Sequence, residues 1–146
     1  AYVQTDKVYN EFRYKKELEA KYDEVVGYRK RILDSLEIQI NAISVNIQNS
    51  AYKKEENIQT YQYLAMQYQE KQKAFEEDNN AMNQKYTQQI WSQLNTYIEE
   101  YGKKGNLDFI YGANGAGNIM HANKDYDETE KLITYVNERY QGGALK

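Results

Sequence analysis

Apolar residues in the long middle of the chain recur at helical spacing. In the first half, mostly apolar residues follow one another at steps of three or four from Tyr14 to Ile47, and in the second half the same steps run from Ile58 to Tyr101. Such steps place side chains on one face of a helix. Because most of them also fit the seven-residue repeat of coiled coils, the pattern predicts two long helices that pack against each other.

The residues that usually interrupt helices are absent from this region. The interval from Tyr28 to Tyr101 contains no glycine, and the whole chain contains no proline. Both residue types are unfavourable in a helix interior, so their absence favours long uninterrupted helices. The polar stretch at residues 48–57 separates the two apolar stripes. We therefore expect an antiparallel helical hairpin over residues 13–101 that reverses near 48–57.

Shorter elements are predicted on either side of the hairpin. Gly102 and Gly105 are expected to stop the second long helix, because glycine is the usual residue just beyond a helix end. The stretches 1–4, 107–112 and 118–122 are short apolar runs that we interpret as strands.

A last helix is predicted near the C-terminus. Asp127, with Glu130 three positions later, resembles a capping box, in which the two side chains satisfy free N–H groups at the start of a helix. Gly142 and Gly143 are expected to end this helix.

These elements predict a fold class and two domains. The class is α+β, mostly α: a long antiparallel helical hairpin, or tentacle, on a small β-sheet head with a C-terminal helix. Residues 1–12 and 102–146 would form the head and oligomerisation domain, and residues 13–101 would form the arm.

The glycine-rich stretch YGANGAGN, residues 111–118, raises the question of a phosphate-binding loop. Such a loop leads into the N-terminus of a helix, where backbone N–H groups and the helix dipole hold the anion. Here it leads into the predicted strand at 118–122, and no Lys-Ser or Lys-Thr pair follows it. We therefore interpret it as the turn of a loose hairpin, whose glycines supply positive φ angles.

The composition excludes most catalytic and metal sites. The chain has no cysteine and a single histidine, His121, which we interpret as a strand residue. Thiolate catalysis and His-rich metal sites are thereby excluded. A net charge of −3, with basic and acidic residues interspersed, argues against nucleic-acid binding, and no apolar run approaches the ~20 residues of a membrane span. We expect no enzyme activity, no cofactor, no metal and no membrane insertion.

Both predicted helices carry apolar residues on a second face. At about 100° per residue, this second set lies roughly opposite the stripe that would pack inside the hairpin. A two-helix hairpin buries one face of each helix, so the second face must meet a further helix, another subunit or a bound partner. The candidate partner-binding residues of this second face are Ile38, Ala42, Val45, Tyr52, Tyr63 and Met66.

The predicted head is too small to support the hairpin alone. About 50 residues with two or three short strands bury little apolar area, and a short open sheet leaves unpaired edges. We therefore expect chains to associate through their heads. The candidate oligomerisation residues are apolar residues of the predicted strands: Tyr2, Val3, Leu107, Phe109, Ile110, Ile119 and Met120.

Three segments carry a resemblance to a known family. They are AYVQTDKVYNEF at residues 1–12, LDFIYGANGAGNIMHA at 107–122 and DETEKLITYVNERY at 127–140. In this order, around a long charged helical hairpin, they resemble the Skp (OmpH-like) family of periplasmic chaperones. Glu128 departs from the family pattern, which has Asp-Ile-Thr at the start of the last helix.

The resemblance implies a homotrimer whose heads join through their sheets and whose three hairpins surround a cavity. Unfolded outer-membrane proteins would be held in that cavity without ATP, in the periplasm, after removal of a signal peptide. Familiar members are strongly basic, whereas this chain is acidic, so capture would depend on the second apolar face more than on Lys or Arg. The alternative is a structural coiled-coil scaffold or spacer of the cell envelope that binds one fixed partner.

Overall fold

The computed structural model describes residues 1–141, and helices make up most of them. The predicted fold class is confirmed: the chain has a long helical hairpin, a small sheet and a last helix. Gly142 and Gly143, predicted to end that helix, lie outside the described residues. In chain order the elements are β1 (Tyr2–Gln4), α1 (Thr5–Glu11), α2 (Arg13–Asn49), α3 (Lys54–Lys104), β2 (Tyr111–Ala113), a 3-10 turn (Lys124–Tyr126) and α4 (Thr129–Arg139).

The chain reverses between α2 and α3, the two long helices of the hairpin. Residues 50–53 connect them. The Ser50 backbone N–H donates to the Asn46 carbonyl oxygen at 3.0 Å, which extends the hydrogen bonding of α2 by one residue. Lys53 then takes a left-handed φ of 52°. That conformation is uncommon for a residue with a Cβ and occurs mostly in tight turns, so the connection is short and sharp.

The chain divides into two compact units at points within the long helices. One unit, the head unit, comprises Ala1–Ala20 together with the chain from Lys85 onward, and the other, the arm unit, comprises Lys21–Gln84. These units describe how the residues pack. The domain bounds predicted from the sequence stay a prediction.

The interior of the arm unit is thin. No residue of Lys21–Gln84 is buried, and the apolar stripe of α2 is only half-buried. A polar contact joins the two helices: Arg29 Nη1 donates to Asn79 Oδ1 at 2.6 Å. The same guanidinium lies 5.4 Å from the centre of the Phe75 ring. The arm is therefore held by many partial contacts rather than by a closed core.

The head unit contains the closed core. Phe12 and Leu132 are fully inaccessible to solvent, and the Phe12 ring packs edge-on against Tyr97 and Tyr140, with ring centres 6.2 and 5.8 Å away. Such pairs contribute about 0.5–1.5 kcal/mol beyond the burial of area. The buried apolar residues of this core are Val3, Val8, Phe12, Tyr14, Leu18, Ile90, Leu94, Tyr97, Leu132, Ile133, Val136 and Tyr140.

The sheet of the head unit consists of two parallel strands. The strand predicted at residues 1–4 is present as β1, and β2 lies beside it. Beyond β2, Tyr2 also forms an isolated parallel bridge with Asp127. The register of the sheet pairs Tyr2 with Tyr111, Val3 with Gly112 and Gln4 with Ala113.

The other two predicted strands require correction. The run 107–112 becomes a strand only at Tyr111, because its beginning completes the end of α3: the Leu107 N–H donates to the Gly102 carbonyl oxygen at 3.0 Å. The run 118–122 forms no strand. In the predicted hairpin this run would pair with β2, but the Gly112 carbonyl oxygen at that edge of β2 accepts the Asn118 side-chain amide instead of a backbone N–H.

Asn106, rather than a glycine, terminates α3. Gly102 lies inside the helix and is buried, and Gly105 lies in the turn that follows. Asn106 takes the left-handed φ of 49°, and its N–H donates to the Lys103 carbonyl oxygen at 3.4 Å. With the Leu107 bond to Gly102, this is the Schellman arrangement, in which asparagine can replace glycine. The predicted stop was in the right place but was assigned to the wrong residues.

The glycine-rich loop turns the chain without forming a hairpin. Gly115 and Gly117 have positive φ angles of 74° and 91°, as predicted. The Asn114 side-chain oxygen accepts the Ala116 N–H at 2.9 Å. Because no strand follows, the hairpin interpretation is wrong, and His121 lies exposed in irregular chain rather than in a strand. The loop does not lead into a helix, so it lacks the geometry of a phosphate cradle.

The predicted capping box does not form at the start of α4, where Glu128 is the N-cap residue and its side chain makes no capping hydrogen bond. Asp127 Oδ1 accepts the Thr129 N–H at 2.9 Å and also the Thr129 hydroxyl. Glu130 does not reach back toward the start of the helix and instead pairs with Lys7 of α1. The reciprocal bond is thus replaced by an ion pair that ties α4 to α1.

Close approach of β2 to α1 requires glycine at position 112. A Cβ added there would lie 2.5 Å from Thr5 Oγ1. We expect Gly112→Ala to lower the free energy of unfolding by about 1–3 kcal/mol through overpacking, measured by urea denaturation. Adding Thr5→Ala should recover most of this loss, because it removes the clashing oxygen. Equal stability of Gly112→Ala and the unchanged protein would contradict the prediction.

Candidate functional site

The candidate partner-binding residues of the hairpin form an exposed apolar set, which we call the arm surface. It consists of Ile38, Ala42 and Val45 on α2, Tyr52 in the turn, and Tyr63 and Met66 on α3. All six are exposed, and the exposed fraction of the five large side chains runs from 50% for Met66 to 75% for Tyr52. Contacts within the arm unit therefore do not cover this surface.

The opposite face of α2 is used inside the hairpin. The stripe that the sequence assigns to helix packing is half-buried, whereas Ile38 and Val45 are 70% and 53% exposed. Apolar area left in water costs roughly 25 cal/mol per Å². The arm thus carries one apolar face that packs and one that stays in solvent. The half-buried packing residues of α2 include Leu36, Ile40, Ile43 and Ile47.

The candidate oligomerisation residues of the head divide into buried, half-buried and exposed side chains. Val3 belongs to the core and is only 4% exposed, so its side chain is not available to another chain. Ile110 is half-buried, and its side chain approaches Gly102 of α3. Phe109 and Met120 are 66% and 89% exposed. Tyr2, Leu107 and Ile119 are half-buried.

Phe109 and Met120 belong to an exposed apolar patch that also contains two tyrosines. The sequence prediction did not include these tyrosines. Tyr111 is 56% exposed and Tyr126 is 63% exposed. The Tyr111 ring stacks on Phe109, with ring centres 5.8 Å apart. We call Phe109, Tyr111, Met120 and Tyr126 the head surface. Alternation along the run 109–111, with Ile110 turned to the opposite side, is the signal from which Tyr111 could have been predicted.

A recess and a strand edge lie beside the head surface. The recess has a volume of about 580 Å³, and its lining includes Tyr2, Tyr111, Ile119, Met120 and Tyr126. Within the described residues, β2 pairs only with β1. Its other edge is partly occupied, because the Asn118 side-chain amide donates to the Gly112 carbonyl oxygen. The exposed aromatic rings beside this edge favour association of chains.

Two tyrosines of the head unit have raised pKa values, and their hydrogen bonds connect different elements of the unit. Burial, and then the hydrogen bond and charge of Glu128, raises the pKa of Tyr101 to about 12. Burial, and then Glu17, likewise raises the pKa of Tyr140. Both phenols therefore stay protonated at neutral pH and donate to carboxylates. These pairs join α3 to the start of α4, and the end of α4 to α2.

The described residues contain neither a metal-binding cluster nor a membrane-spanning helix. Among residues 1–141, no group of His, Asp or Glu side chains is arranged to hold a metal ion. Over the same residues, no helix is both long enough and apolar enough to cross a membrane. The two exposed apolar surfaces remain the outstanding features of the molecule.

Comparisons with known proteins agree with this architecture. The sequence model of the family described as "Outer membrane protein (OmpH-like)" matches residues 1–136. A solved structure from Caulobacter crescentus CB15, described as an OmpH-like outer membrane chaperone, superposes with a TM-score of 0.78 at 16% sequence identity. The match covers 97% of this chain and 85% of that chain. A search among curated proteins found no match.

Proposed function

Because the chain belongs to the OmpH-like family, we propose that it is an ATP-independent holdase chaperone of the periplasm. It binds unfolded outer-membrane proteins in a cavity between the helical arms of a homotrimer and prevents their aggregation. It performs no chemistry on them.

The exposed arm surface is the observation that carries this proposal. A hairpin that served only as a spacer would keep polar residues on its outer face, because wet apolar area lowers solubility. Here Ile38 and Tyr52 are at least 70% exposed. Tyrosine and methionine suit varied partners, since their side chains make favourable contacts without requiring one shape.

Weak contacts are sufficient for a holdase. A client that touches several arms at once is retained by the sum of small contacts, each of which breaks and reforms quickly. Binding of this kind stabilises the unfolded state of the client by mass action and requires no nucleotide. The client leaves when a membrane or an assembly machine offers a more favourable environment.

The homotrimer assembles through the head surface. The head unit has a closed core, so it can fold within one chain, while its exposed aromatic residues remain available for another copy. Burying these residues between copies removes apolar area from water. Three arms are then tethered at one place, which provides the multiple contacts that retention requires.

Light scattering by a diluted outer-membrane barrel protein tests this function. We expect a stoichiometric amount of the chain to suppress aggregation in the absence of ATP, and ATP to make no difference. A pull-down from envelope extracts separates the holdase from a structural scaffold. Many unfolded outer-membrane proteins would support the holdase, whereas one stoichiometric protein, with no suppression of scattering, would support the scaffold.

A further inference from the structure

A groove in the arm unit combines apolar walls with positive charge. Its volume is about 350 Å³, near the lower end of the range of about 300–1,000 Å³ found for binding pockets. A cavity of this size accommodates one or two side chains of a partner. Its lining residues are Tyr28, Arg31, Ile32, Ser35, Leu36, Gln39 and Lys71.

The charges at this groove are of one sign. Arg31 of α2 and Lys71 of α3 line it, and no acidic residue does. Within residues 1–141, neither cation takes part in an ion pair. The chain as a whole is acidic, with a net charge of −3, so a groove with two uncompensated cations stands out from its surroundings. Its charge is complementary to a carboxylate.

The groove continues the arm surface along α2. Tyr28, Arg31, Ser35, Ile38, Ala42 and Val45 follow one another at alternating steps of three and four. Steps of this kind form one strip on a helix. All six residues are exposed, and Tyr28 is 58% exposed. An aromatic residue and a cation thus lie at one end of the strip, and aliphatic residues lie at the other.

We infer that this strip binds an extended segment of an unfolded chain in which an acidic residue neighbours an aromatic or large aliphatic residue. The carboxylate lies between Arg31 and Lys71, and the apolar side chain packs on Tyr28, Ile32 and Leu36. The inference rests on the proposed function and specifies which client segments are preferred. The binding strip thus contains two cations in addition to the apolar residues predicted from the sequence.

The dimensions of the strip favour a polypeptide over an anionic lipid. From Tyr28 to Val45 the helix rises about 25 Å, which an extended segment of about eight residues spans. A narrow strip with a groove for one or two side chains matches such a segment. An anionic lipid with several acyl chains would need a wider apolar surface than the groove provides.

Three labelled octapeptides test the preference. All carry the same phenylalanine and leucine residues, and they differ only in two positions that hold Asp, Asn or Lys. Binding to the full-length protein is measured by fluorescence anisotropy at low ionic strength. We expect the Asp peptide to bind about threefold to tenfold more tightly than the Asn peptide, and the Lys peptide to bind most weakly. The difference should disappear at about 1 M salt, where the screening length falls to about 3 Å.

Paired charge variants assign the preference to the groove. Arg31→Gln with Lys71→Gln should abolish the advantage of the Asp peptide over the Asn peptide. Lys30→Gln with Lys73→Gln changes the net charge equally, but these residues do not line the groove, so the advantage should persist. Circular dichroism and native mass check that both variants fold and assemble.

Several results would overturn the inference without touching the holdase function. They are equal binding of the Asp and Asn peptides, equal effects of the two variant pairs, or binding of none of the peptides, each with aggregation suppression intact. Displacement of the Asp peptide by vesicles of phosphatidylcholine and phosphatidylglycerol, but not by phosphatidylcholine alone, would assign the groove to anionic lipid instead. If the unchanged protein did not suppress aggregation, the proposed function itself would be rejected.

Discussion

Replacing four residues of the arm surface with serine is expected to remove most of the aggregation suppression. The variant carries Ile38→Ser, Val45→Ser, Tyr63→Ser and Met66→Ser. Full burial of one such side chain is worth about 1.5–3 kcal/mol, and partial contact with a client is worth a fraction of that. Across four positions, we expect client affinity to fall at least tenfold, since about 1.4 kcal/mol corresponds to a factor of ten. Light scattering of a diluted barrel protein measures the loss.

A matched control separates the apolar surface from a general effect of serine on the helices. Asn41→Ser, Asn46→Ser, Gln62→Ser and Gln69→Ser alter exposed polar residues of the same two helices. This control should suppress aggregation as well as the unchanged protein does. Helix content by circular dichroism should be similar in both variants, because none of the eight side chains is buried. Unimpaired suppression by the apolar variant would count against the arm surface as the site.

Removing the head surface is expected to prevent oligomer formation. In Phe109→Ser, Tyr111→Ser and Met120→Ser, the core of the head unit is unchanged, because all three residues are more than half exposed. Only a few interface residues cost 2 kcal/mol or more when truncated, but a total of about 2.8 kcal/mol over the three positions corresponds to the factor of about 100 by which we expect the dissociation constant to rise. Sedimentation over a range of protein concentrations measures the change.

The control for this experiment alters the charged surface of the same unit. Lys124→Ser with Glu138→Ser preserves the net charge and changes two exposed residues, and the mass should stay that of the unchanged protein. A monomeric mass of the unchanged protein at every concentration would refute association through the head. A full-size oligomer of the triple variant would place the interface elsewhere.

The hairpin was predictable because its signal is repeated along the chain. Mostly apolar residues recur at steps of three or four from Tyr14 to Ile47 and from Ile58 to Tyr101, so many positions support the same helix. No glycine interrupts the interval from Tyr28 to Tyr101. Such a pattern is a property of local sequence, since each helix satisfies its own backbone hydrogen bonds. The helices observed are consistent with it over almost their full length.

The head was harder to predict because its elements depend on distant partners. A three-residue strand is decided by the edge it finds: β2 exists where Tyr111 meets Tyr2, and the run 118–122 finds no such edge. The end of α3 is a similar case. Asn106 adopts a left-handed conformation that glycine would adopt more easily. The sequence therefore predicted that the neighbouring Gly105 would end the helix.

The candidate site shows the same contrast. Helical spacing placed Ile38 and Val45 opposite the packing stripe, and both are exposed. The sequence prediction did not include Tyr28 and Arg31, although their spacing continues this face of α2. Their connection to Lys71 is across the hairpin and could not be predicted from either helix alone. Tyr126 lies in a short 3-10 turn, where no periodic pattern gives the direction of a side chain.

No side chain of Lys21–Gln84 is buried, and this affects how freely the sequence of such an arm can change during evolution. A closed core restricts the volume and shape of each residue, whereas a half-buried stripe requires only that an apolar residue recur at the right interval. Many different sequences meet that weaker condition. The arm can therefore exchange most of its residues, including those of its exposed face, while the fold shared at 16% identity is retained.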